Sequence, residues 1–136
     1  MTPRGTPRTS PMTLGDVRSS AAAARKFDEV ARLVHDEDGD YLRVSASLAV
    51  LAGIAAADAM CGHVLKECSR GQDHRQAAAM LRSVTGAAAA VPALERLLDA
   101  KDSAHYSPSA VSQTAVTSAL RASALMVETM ESVLKR

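Results

Sequence analysis

Tryptophan is absent, phenylalanine occurs once and tyrosine twice, so aromatics are only 2% of the 136 residues. A sheet core leans on aromatic and β-branched side chains, whereas abundant alanine, with glycine and proline thinning out after the first fifteen residues, favours helix. Cysteine is scarce as well. Cys61 and Cys68 fall on one predicted helix, about 10.5 Å apart along its axis, too far to bond each other. Without a disulfide framework the expected home is a reducing cytoplasm. An excess charge of one sign is missing: 16 Lys and Arg face 15 Asp and Glu, so no global basic field draws nucleic acid and any anion site must be local. Long apolar runs are missing too. The longest, Leu48 to Ala57, falls short of the roughly 20 residues of a membrane span, and no membrane partner is expected. No apolar segment follows Arg4 and Arg8, so the start does not read as a secretory signal. Residues 1–13 are expected to be a disordered Pro/Thr-rich tail and 14–136 one helical domain.

What is present is helical periodicity. Val17, Ala21, Ala24, Phe27, Val30, Ala31 and Val34 recur at threes and fours behind Asp16, predicting a capped amphipathic helix that ends near His35. The acidic stretch Asp36 to Asp40 has Tyr41 and Ser47 where a calcium loop needs glycine and glutamate, so it reads as a turn. A second helix over about 41–69 carries Val44, Leu48, Leu51, Ala55, Gly62 and Leu65 on one face, with Asp58 on the same stripe. A carboxylate there requires a partner. Asp73 and Gln76 form a capping-box pair for a third helix to about Thr85, stopped by Gly86. A fourth spans about 88–104, with Pro92 in its first turn and Leu94, Leu97 and Leu98 as its core. Ser109 or Ser112 caps the last, which runs to Lys135 with Val116, Leu120, Ala124, Val127, Met130 and Val133 on its stripe. Short links between antiparallel neighbours give an all-α, up-and-down bundle of about five helices.

Two stretches carry candidate chemistry. In "LLDAKDSAHY", Lys101, Asp102, His105 and Tyr106 close the fourth helix. A histidine held by a carboxylate, with a cation nearby, is the minimum apparatus for proton transfer beside a phosphate, and Asp58 or Asp102 is the candidate to hold His105. In "SRGQDHRQA", Arg70, His74 and Arg75 open the third helix, where an anion is favoured by local charge. No metal site is expected. Asp102 and His105 make half of a carboxylate-bridged pattern without its second half, and Cys61, His63, Cys68 and His74 lack zinc spacing. No cofactor motif appears either.

The Ala-rich "SLAVLAGIAAADAMCG", the loop "SRGQDHRQA" and above all "LLDAKDSAHY" resemble the HEPN superfamily of small helical bundles. Its motif is an arginine, a polar residue and, four to six residues on, a histidine near the end of a late helix. Lys101 stands at the arginine's place, Asp102 at the polar one, His105 at the histidine and Tyr106 at a following aromatic. Lysine replaces arginine, and three residues rather than four to six separate it from His105. The resemblance implies a homodimer with RNA or a nucleotide as ligand, in some members a metal-independent endoribonuclease working with an operon-encoded protein partner. In that chemistry the ribose 2′-hydroxyl attacks the adjacent phosphate, His105 moves protons and Lys101 stabilises the charged phosphorane. The alternative is a non-catalytic helical adaptor or antitoxin-like protein-interaction module.

Overall fold

The computed structural model describes residues 8–35, 39–71, 74–106 and 111–136, the side chains of 102–106 excepted. It is an all-α bundle of five helices with one short two-stranded sheet. Helix α1 covers Leu14–His35. Its cap is Thr13 rather than Asp16: Asp16 N–H donates to Thr13 Oγ1 at 3.1 Å, and Thr13 N–H donates to Asp16 Oδ2 at 2.8 Å. This reciprocal box satisfies two end donors. Accepting from the Thr13 backbone and side chain holds the Asp16 carboxyl below its ordinary range.

Helix α2, Leu42–Leu65, follows a single 3-10 turn over Gly39–Tyr41. It stops earlier than the apolar pattern suggests because Lys66 turns into the left-handed region at φ 64°, which a non-glycine residue enters only at some cost. Strand β1, Thr9–Pro11, and strand β2, Glu67–Ser69, then pair antiparallel, Ser10 opposite Cys68. The expected disordered tail is thereby corrected over 9–13. Those residues are tied down by the strand pair, by Met12 N–H to Lys66 O at 2.9 Å and by the Thr13 cap. Residues 1–7 lie outside the described residues.

Helix α3 is short, Arg75–Leu81. The expected partner Asp73 lies outside the described residues, and the Gln76 amide donates instead to Arg8 O at 3.2 Å. The helix ends at Leu81 with Arg82 as its cap, so Gly86 is not its stop; at φ 90° it instead turns the chain in the link to the next helix. Helix α4 runs Ala90–Tyr106 with Pro92 in its first turn, and α5 runs Gln113–Leu134 with Ser112 Oγ accepting from Ala115 N–H at 3.1 Å.

The central helix is α2, packed against α1, α5, α4 and α3. Helix α1 runs against it, with Ser45 Oγ donating to Ala31 O at 2.7 Å near one end and Gly62 beside Val17 at the other. Helix α5 runs with α2, pairing Val116 with Ala46 and bringing Arg136 O to 3.2 Å from His63 Nε2. Helix α4 runs the opposite way, starting beside Arg136 at Gly86 and laying Leu97 on Gly53. A Cβ on Gly53 would sit 2.4 Å from Leu97 Cδ1, so a larger residue there would have to displace the buried Leu97 methyl.

The inner face of α2 consists largely of small residues: Ala49, Ala52, Gly53, Ala56, Ala57 and Ala59 are buried with Val50 and Met60. This overturns the expected orientation. Val44 and Leu51, placed in the core by periodicity, are 46% and 42% exposed, while Leu48 and Ala55 between them are half-buried. In α1 the buried stripe is Val17, Ala21, Ala24, Asp28 and Ala31, so Asp28 takes the inward place expected of Phe27 and Val30. Its carboxylate is satisfied there by Ser123 Oγ at 2.6 Å and by an ion pair with Arg32, which is what makes a buried acid tolerable. Residues 39–65 are long and apolar enough, by length and composition, to cross a membrane, with a mean hydropathy of 1.8 in a window that is 61% buried in the bundle.

Candidate functional site

The structure joins the two stretches that carry candidate chemistry. Arg75, at the start of α3, donates through Nη2 to Asp99 Oδ1 of α4 at 2.6 Å. This contact brings the start of α3 against α4 at Asp99; Lys101, two residues on, lies about 200° further round the helix and so near its other face. A second ion pair, Arg82 to Glu95 at 3.4 Å, links the same two helices. Both pairs are exposed and contribute little to stability; their value is positional.

Within α4, Leu94, Leu97 and Leu98 are buried and Lys101 is half-buried. At about 100° per residue, positions 94, 98, 101 and 105 form one stripe, so the backbone carries Lys101 and His105 along the line of the helix's core residues. Positions 95 and 99 lie on the neighbouring stripe, the one that meets α3. Asp102, His105 and Tyr106 belong to α4, and their side chains lie outside the described residues.

Asp58 belongs elsewhere. Leu97 lies on Gly53 and the two helices run in opposite directions, so positions 58 and 105 diverge toward opposite ends of the bundle by roughly 20 Å at about 1.5 Å per residue. The expected use of Asp58 to hold His105 is therefore corrected: α2 delivers that carboxylate to the β2 end. There it faces Cys61 and Cys68, whose thiols are pushed up chiefly by burial and further by its charge, Cys61 to about 12. Burial pushes Asp58 itself up to about 6. The required partner is not supplied among the described residues; the carboxyl is half-buried and keeps some contact with water.

Arg70 is exposed, and its backbone N–H donates to Arg8 O at 2.9 Å. His74 is half-buried at the cap position of α3, where its side chain makes no capping bond. The basic trio is thus split in orientation, with Arg75 alone shown meeting α4. Among the described residues no group of three or more His, Cys, Asp or Glu is arranged to hold a metal.

Compared with models of known protein families and with curated proteins, the chain matches none. Its site must be judged on its own residues. Sequence reasoning missed Asp99 as the bridge to Arg75, because a contact between residues 24 apart in sequence leaves no trace in periodicity. It also missed Asp28 and Ser123, although an acid at a core position of a regular stripe was the available signal.

Proposed function

We propose that this chain is a HEPN-like helical bundle that engages RNA or a nucleotide at the end of α4, with Lys101 and Arg75 as phosphate ligands and His105 and Tyr106 completing the site. The observation that carries this reading is the Arg75 to Asp99 bond, which brings a guanidinium of five donors to α4 at the level of Lys101 along the axis, so that the two cations flank the helix from different faces. Asp102 is the one acid from the expected set that α4 itself brings near His105. With Asp58 removed, binding is better supported than cleavage. In vitro, a labelled single-stranded RNA should bind with an affinity that falls steeply with salt. Lys101→Ala and Arg75→Ala should each weaken it several-fold without lowering Tm. Undiminished binding in both variants, or no binding by the wild type, overturns the reading. Incubation with RNA in EDTA beside His105→Ala of equal Tm separates the roles: cleavage lost in the variant makes His105 catalytic, and intact RNA with retained binding makes the site a binding one.

A second reading, the protein-interaction module, is favoured by a different observation. Val44 and Leu51 stand exposed on one side of α2, beside Leu48 and Ala55, which pack against the core, and exposed apolar patches mark association surfaces. Both readings share a homodimer, with the exposed Val44 and Leu51 at a self-complementary contact.

A further inference from the structure

Away from the end of α4, the N-terminal half of α1 and the end of α5 border a cleft of about 250 Å³, lined by Leu14, Val17, Arg18, Ala21, Arg25, His63 and Leu134. Its apolar surface is chiefly Leu14, 59% exposed, and the half-buried Leu134, with Val17 and Ala21 buried beneath them. Its rim is polar and basic. Arg25 is tied to Glu131 at 2.7 Å, and His63 Nε2 lies 3.2 Å from Arg136 O. Arg18 makes no hydrogen bond or ion pair among the described residues.

These features select for one chemistry. A bare inorganic anion would meet Arg18 but leave Leu14 wet. A neutral hydrocarbon would cover Leu14 and leave Arg18 without a counter-charge. We infer that this cleft binds a small organic carboxylate with a short apolar tail, the carboxylate on Arg18 and the tail on Leu14 and Leu134.

The test is a titration of the full chain with hexanoate, followed by amide NMR, with hexan-1-ol, acetate and inorganic phosphate as separate probes. Saturable shifts centred on Leu14, Arg18 and Leu134 are expected, with a Kd on the order of 1 mM. Hexan-1-ol and acetate should each bind at least about tenfold more weakly, as should hexanoate to Arg18→Gln, because a charge-assisted hydrogen bond or the tail contact is lost. Arg18 is exposed, so the variant keeps the fold, and the hexan-1-ol comparison needs no variant. Absence of saturable shifts, equal binding of hexan-1-ol, equal binding by Arg18→Gln, or phosphate binding as tightly as hexanoate would each overturn the inference.

Discussion

The two faces of α2 differ less in polarity than in size. The inner face is alanine and glycine over most of its length, with Val50 and Met60 as its larger members; the outer face carries Val44, Leu48 and Leu51. A hydrophobic effect proportional to area would turn the larger residues inward. They lie outward because α2 is central, and a helix surrounded by α1, α4 and α5 gains more from close backbone approach than from side-chain bulk. In an alanine-rich helix, hydrophobicity marks both faces, and side-chain volume tells them apart.

This contrast is open to attack from either side. The largest effect should come from the inner face: Gly53→Val forces branched atoms into the space held by Leu97 and should cost about 2–3 kcal/mol, measured by denaturant unfolding. A loss under about 0.5 kcal/mol would show that α4 yields easily and that the close approach is not a constraint. Next comes Asp58, on the outer stripe toward its covered end. Its folded pKa of about 6 exceeds the ordinary 3.8, so folding favours the protonated form. The stability from that proton is complete below about pH 4 and is lost as pH rises through about 6. Asp58→Asn should therefore gain on the wild type between about pH 5 and 7.5, by about 1–2 kcal/mol after discounting for solvent screening, and parallel Tm profiles for the two proteins would refute it. The smallest effect on folding belongs to Leu51→Ser, about 0.5 kcal/mol or less for a surface site. Sedimentation should nevertheless show weakened self-association. A wild type that stays monomeric at every concentration would remove the outer stripe's assigned partner.

Helix number and order, the Pro92 start and the Ser112 cap could all be read from local chemistry, because each depends on residues within one turn of each other, whereas α3 ends at Leu81 and not at the Gly86 its sequence suggests. The turn at Lys66 could not: no glycine signals it, and a lysine enters the left-handed region there with β2 pairing immediately after. Pairing of Thr9 to Pro11 with Glu67 to Ser69 joins segments whose polar, proline-containing composition reads as loop on its own. The site shows the same division. Lys101 and His105 share a helix, so their relation followed from spacing, whereas Asp58 and His105 depend on which way α4 runs beside α2. Periodicity gives the rotation of a helix, and here even that was ambiguous for α2; direction and partner come only from packing.

The pairing of β1 with β2 also bears on the order in which the chain assembles. Thr9 reaches Glu67 across 58 residues of sequence, and its ladder has no fixed partner until α1 has folded back along α2. Such long-range contacts close late, because the loop entropy is lost before they return any energy. The clip at Ser10 and Cys68 is therefore a latch on a hairpin already made: loosening it should leave the folding rate nearly unchanged and shorten the lifetime of the folded state.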